Sequence, residues 1–151
     1  MVLRDHRLRP ESVVPSNWRL DAYKDSMCEQ RGPICIIDDD ASVRNSIEQL
    51  LDSEGLKAQS FEDAEDFLEY ARSHAVPLAV LDVWMPKMSG LEVQKQLKVI
   101  SPNTKVIVVT AREIPAIRAA AMGGDAFAFL VKPFDDEVFL SLVQQALCSA
   151  P

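Results

Sequence analysis

Five short apolar runs, each followed by a stretch whose apolar residues recur at helical spacing, leave this chain few folds to adopt. The runs are Ile34–Ile37, Lys57–Phe61, Leu78–Leu81, Lys105–Val109 and Phe127–Val131. The first, third and fourth are almost continuously apolar, as strands buried on both faces of a parallel sheet must be. Between and after them, Val43, Ile47, Leu50 and Leu51 share one helical face, as do Ala64, Phe67, Leu68 and Ala71. Val93, Leu97 and Ile100 form a third stripe, Ile114, Ile117 and Ala121 a fourth, and Phe139, Leu142, Val143, Ala146 and Leu147 a fifth. Each stripe predicts a surface helix with one core-facing side. Strands alternating with helices of this length demand right-handed crossovers. The prediction is a five-stranded, doubly wound α/β domain with a parallel sheet, a (βα)5 arrangement.

Local punctuation agrees. Gly55 and Gly90 mark boundaries, Pro102-Asn103 breaks the third helix, and Asp135 supplies an N-cap with Asp136 and Glu137 in the favourable first turn. The 151 residues suit one globular unit with an appended tail. Residues 33–149 are assigned to that unit. Residues 1–32 show no sustained period and are predicted to be a disordered N-terminal extension. Met27 precedes the first strand by a few residues, so translation starting there is one expectation for the native chain.

Charge limits the partners. The chain carries 16 basic and 23 acidic residues, a net charge of -7, and the acidic excess falls entirely within residues 33–151. Such a body repels phosphate backbones and anionic lipid, so neither direct nucleic-acid binding nor membrane binding is expected. Cys28, Cys35 and Cys148 form no C-x-x-C pair and, with no secretion signal, predict reduced thiols in a cytoplasmic protein. No apolar run approaches the length of a membrane span.

Functional groups of doubly wound sheets gather beyond the carboxyl ends of the strands. There the first strand ends in Asp38-Asp39-Asp40, the third in Asp82 and the fourth in Thr110, while the fifth runs into Lys132-Pro133. Converging carboxylates raise one another's pKa unless a cation holds them ionised. Hard oxygen ligands in this number suit Mg²⁺ at Asp38, Asp39 and Asp82 better than Ca²⁺, whose larger ligand set is missing. A lone lysine at a strand end is as readily a salt-bridge partner as a functional group. With a metal and the Thr110 hydroxyl beside it, Lys132 completes the equipment for a phosphoryl group. Asp82 is then the nucleophile that forms an acyl phosphate.

At this point the sequence resembles the receiver domain of two-component response regulators. The resemblance runs from about Pro33 to Cys148 and rests on IIDDDASVRNSI, LDVWMPKMSGLEV, VIVVTA and FLVKPF in order and spacing. The first two blocks are most similar to receivers that feed LuxR-type helix-turn-helix output domains. The resemblance implies that Asp82 accepts phosphate from a sensor histidine kinase. It further implies that Asp39 binds Mg²⁺ directly, that Asp38 assists through water, and that the backbone carbonyl of Trp84 completes the metal ligands. Lys132 would pair with the phosphoryl oxygens and precede a cis proline, and Asp40 would be a solvated helix-entry carboxylate. Switching would couple Thr110 to Phe129 and alter the surface of the fourth helix and fifth strand, although a plain core role for Phe129 is equally open. The implied protein is a phosphorylation-controlled switch, not a turnover enzyme, catalysing only its own phosphotransfer and slow autodephosphorylation. Its partners would be the kinase, an output domain or downstream protein, and a second copy after phosphorylation.

Some features depart from that pattern. Asp125 stands where a glycine usually follows the fourth helix, so the left-handed turn falls either on Gly124 or on Asp125 itself. Trp84 and Arg112 would flank the phosphoryl site and restrict attacking water. No basic DNA-reading helix follows the last stripe, which fits either a stand-alone receiver or part of a longer regulator. A phosphatase of the haloacid dehalogenase type would need a second Asp where Trp84 stands. An FMN binder would not place three carboxylates after its first strand, and an inert pseudo-receiver remains the third alternative.

Overall fold

The computed structural model describes residues 30–149. The expected disorder of residues 1–32 and the expected start at Met27 therefore lie almost wholly outside the described residues. Five strands, β1 (Ile34–Ile37), β2 (Ala58–Phe61), β3 (Leu78–Asp82), β4 (Lys105–Thr110) and β5 (Ala128–Val131), form one sheet in the order β2-β1-β3-β4-β5. All four pairings are parallel. Helices α1 (Ala41–Ser53), α2 (Ala64–Ser73), α3 (Gly90–Ile100), α4 (Pro115–Gly123) and α5 (Asp136–Cys148) follow the strands in turn. This is the doubly wound, flavodoxin-like α/β fold that the five stripes predict.

The sheet divides the core into two layers. Cys35, Ile37, Leu81, Val108 and Phe129 pack with Phe67 and Leu68 of α2, Val93 and Leu97 of α3, and Ala121 of α4. The alternate residues Ile34, Ile36, Val80, Ile107 and Leu130 pack with Ile47 and Leu51 of α1 and Phe139, Leu142 and Val143 of α5. Side chains of a strand alternate between faces, so each run must be apolar at every position to satisfy both layers. Every residue of β1, β3 and β5 is buried, whereas β2, at the sheet edge, is half-buried and carries Gln59 and Ser60.

Helix starts follow local chemistry. Asp40, Asp63, Ser89 and Asp135 each accept backbone N–H bonds from the first turn of α1, α2, α3 and α5, which satisfies donors that the helix cannot pair itself. Each such cap is worth about 1 kcal/mol. α4 has no side-chain cap and begins instead with Pro115, whose fixed φ suits a first helical position. Ile114, the first residue of the expected fourth stripe, is therefore not helical. A residue before proline is pushed to extended geometry, and Ile114 has φ -124 and ψ 120. The left-handed turn after α4 falls on Asp125, at φ 70, with Gly124 at φ -89. Lys98 of α3 holds that turn through a 2.6 Å ion pair with Asp125.

The cysteines correct one expectation. Cys35 is free and buried, with its thiol pushed up to about 12 by burial. Cys148, at the end of α5, is disulfide-bonded. The prediction of three reduced thiols does not hold, because spacing along a chain says little about which ends meet in space.

Candidate functional site

The parallel register brings four strand ends to one rim. Asp38 N donates to Phe61 O, Val83 N to Val109 O and Lys132 N to Thr110 O, so the residues just past β1, β3 and β5 are tied to their neighbours. Strand alternation then sorts them. Asp38, Asp82 and Lys132 continue the register of Ile36, Val80 and Leu130, toward α1 and α5, whereas Thr110 continues that of Val108, on the side of Phe129 and α4. The sequence-predicted site residues thus separate into a charged group and a hydroxyl–aromatic group.

In the charged group, single carboxylate oxygens of Asp38, Asp39 and Asp82 lie within 4.8 Å of one another. Asp38 and Asp82 are 2% and 5% exposed, and Asp39 opens to solvent. Lys132 reaches in from the end of β5. Its Nζ donates to Asp38 Oδ2 at 2.9 Å and to Asp82 Oδ1 at 3.3 Å. The peptide bond between Lys132 and Pro133 is cis, as expected. Asp38 is further fixed by Asp40 N, which donates to its Oδ1 at 2.9 Å.

Burial pushes the Asp82 carboxyl up to about 6; Lys132 pulls it back, and Asp38 and Asp39 raise it further. Burial alone would lower the Lys132 ammonium, but its hydrogen bond to Asp38 and the nearby Asp82 and Asp38 charges win, and its pKa rises. One ammonium among three carboxylates leaves the site short of positive charge. The donor set, hard carboxylate oxygens with one exposed member, suits a small divalent cation such as Mg²⁺.

The second group is built differently. Thr110, fully buried at the end of β4, accepts from Trp84 Nε1 at 2.9 Å and from Arg112 N at 3.1 Å, and donates to Arg112 O at 3.0 Å. The Arg112 guanidinium lies over the Trp84 ring at 4.8 Å. Phe129 is fully buried on β5, among core residues that include Ala121, with Ile117 and Met122 of α4 packed against the same layer. Asp40 caps α1 at the edge of the site and takes no part in the cluster.

Three positioning residues were not foreseen. Arg44 of α1 donates from its guanidinium to Asp38 O at 2.7 Å. Gly90 opens α3 directly against the backbone of Asp82, whose carbonyl a Cβ at Gly90 would strike. Trp84, expected to offer its backbone carbonyl to the metal and its ring as a flank of the site, also bonds the Thr110 hydroxyl through its indole N–H. The signal available for Trp84 was its place two residues beyond a strand end neighbouring that of Thr110.

Comparison with known proteins matches this geometry to a family. The model of the response regulator receiver domain matches residues 34–144. The response regulator protein TodT of Pseudomonas putida (strain F1) is 37% identical over 141 residues, 92% of this chain and 61% of TodT. The DNA-binding transcriptional regulator NtrC of Escherichia coli K12 is 36% identical over 118 residues, 78% of this chain and 25% of NtrC. Among solved structures, a CheY-like receiver domain protein of Methanospirillum hungatei JF-1 superposes with a TM-score of 0.74 at 25% identity, covering 78% of this chain and 94% of that one. The beryllofluoride-activated NtrC4 receiver domain dimer gives 0.73 at 30% identity, covering 76% and 95%. The chain belongs to the receiver domains of two-component response regulators. It spans less than two thirds of the length of either curated relative.

Proposed function

We propose that Asp82 is the phosphoacceptor of this receiver and that residues 33–149 form the responding unit. The observation that carries the reading is the Lys132 ammonium, delivered from the far end of the chain to within 3.3 Å of Asp82 Oδ1. An Asp82 oxygen attacks the phosphorus of a phosphohistidine on a sensor kinase. The O–P bond forms as the P–N bond breaks, and the histidine leaves. Lys132 neutralises phosphoryl oxygens as the bond forms, and Thr110, once released, donates to another.

Asp39 would hold Mg²⁺ directly and Asp38 through water, with Asp82 and the Trp84 backbone carbonyl completing the protein ligands. Bound there, Mg²⁺ supplies the positive charge that Lys132 alone does not. The hydroxyl then couples to Phe129, whose fully buried ring lies in the layer that α4 covers.

The protein acts as a switch, with slow hydrolysis of its own acyl phosphate because Trp84 and Arg112 crowd the approach of water. Its partners are a histidine kinase and an output domain or downstream protein, with dimerisation through the α4–β5 face on activation, in keeping with the activated NtrC4 dimer. It works in the cytoplasm, and the acidic body leaves DNA contact to the output. Among the described residues no helix is long and apolar enough to cross a membrane.

The test is incubation with acetyl phosphate and Mg²⁺, followed by intact mass. One added phosphoryl group, lost in Asp82→Asn and lasting well beyond seconds, is expected. Turnover without accumulation would instead mark a phosphatase, and no uptake at all a pseudo-receiver.

A further inference from the structure

The Thr110 hydroxyl has no hydrogen-bonding capacity left. A hydroxyl offers one proton and two lone pairs. Here the proton goes to Arg112 O, and the lone pairs take the Trp84 indole N–H at 2.9 Å and Arg112 N–H at 3.1 Å. To donate to a phosphoryl oxygen on Asp82, the hydroxyl must turn, and turning breaks the set. We propose that Trp84 is a positioning residue, a side-chain latch that keeps the Thr110 hydroxyl committed until a phosphoryl group displaces it. The proposal rests on Asp82 being the acceptor.

Two features make the indole effective. The ring is held in place by the Arg112 guanidinium at 4.8 Å, so its N–H is aimed before the hydroxyl arrives. Thr110 is fully buried, so water does not replace the indole while the phosphoryl site is empty. Trp84 as a residue is 39% exposed, so the side chain has solvent beside it when the latch opens. A phosphoryl oxygen carries charge and is the stronger acceptor, which decides the exchange once it forms. The indole thereby sets the threshold: without it the receiver switches more readily.

The experiment compares the 151-residue wild type, Trp84→Phe, Thr110→Val and the double variant. The rate of phosphoryl uptake from acetyl phosphate with Mg²⁺ is read by intact mass. Phenylalanine keeps an aromatic ring beside Arg112 and removes the N–H together with part of the indole, and the Thr110→Val background controls for the lost packing. Trp84→Phe is expected to speed uptake about two- to tenfold, the span of one net hydrogen bond, and to have no effect in the Thr110→Val background. An equal change in both backgrounds would mean that the ring acts by packing and would overturn the latch, as would no change in either. Wild type that takes up no phosphoryl would overturn the acceptor assignment and the latch together, whereas uptake with indifferent Trp84→Phe overturns the latch alone. In wild type, the Trp84 indole N–H resonance, assigned by its loss in Trp84→Phe, should move and exchange faster on adding beryllofluoride with Mg²⁺. An unmoved resonance overturns the latch whatever the uptake rates.

Discussion

Gly90 stands so close to the backbone carbonyl of Asp82 that no side chain fits between them. Its N–H donates to Val83 O at 3.0 Å, which seats the start of α3 on the strand end that bears the acceptor. Gly90→Ala must push the two backbones apart. The variant is expected to lose about 1–3 kcal/mol, in the range of other overpacked sites, and to take up phosphoryl more slowly. Urea titration and intact mass check both parts. Wild-type values in each would show that the seat yields freely.

Asp82 makes stability depend on pH. Its pKa is about 6 in the folded protein against an ordinary 3.8, chiefly through burial. Between those values the folded state holds the proton more tightly than the unfolded state, so stability from this group falls as pH rises and its penalty is complete above about 6. Asp82→Asn removes the charge. In metal-free buffer it is expected to be more stable than wild type at pH 7.5 by about 1–3 kcal/mol, with the gap closing toward pH 4. Denaturant midpoints across that range test the sign.

Among the described residues, Lys132 is the one cation paired with the two buried carboxylates Asp38 and Asp82. Its removal leaves both without that countercharge, Asp38 keeping the Asp40 N–H on its Oδ1. Lys132→Ala is expected to cost about 2 kcal/mol at pH 7.5, less than a fully buried pair because the lysine keeps some solvent contact. Acidification should recover part of the loss, as the Asp82 carboxyl, already raised by burial, takes up its proton. A loss independent of pH would point to packing of the lysine stem instead.

Mg²⁺ should raise the melting temperature of wild type in a concentration-dependent way. At ten times its dissociation constant the gain is about 1.4 kcal/mol. Asp82→Asn and Asp39→Ala should each shrink that response. An equal shift in all three proteins would place the ion elsewhere.

The sheet was legible because its demands are repeated at every strand: Ile34–Ile37 and Leu78–Leu81 must be apolar throughout, and only a parallel sheet with two covered faces asks for that. β2 and β5 each begin one residue later than their apolar runs, since Lys57 and Phe127 lie just before the paired segments. Ile114 was misplaced because an apolar stripe does not show where a proline starts a helix. The charged cluster could be read from strand ends alone. The Trp84–Thr110 bond could not, because it joins residues 26 apart through a side chain whose direction no periodicity fixes. The disulfide at Cys148 was hidden for the same reason.

By strand alternation Asp82 and Lys132 fall on the side of α1 and α5, and Thr110 falls with Phe129 on the side of α4. Delivery and readout therefore occupy opposite sides of one thin wall, joined only along its upper lip. On the reading that Asp82 is the acceptor, a donor gripping the first side would leave the second uncovered, and a listener could board before the donor departs.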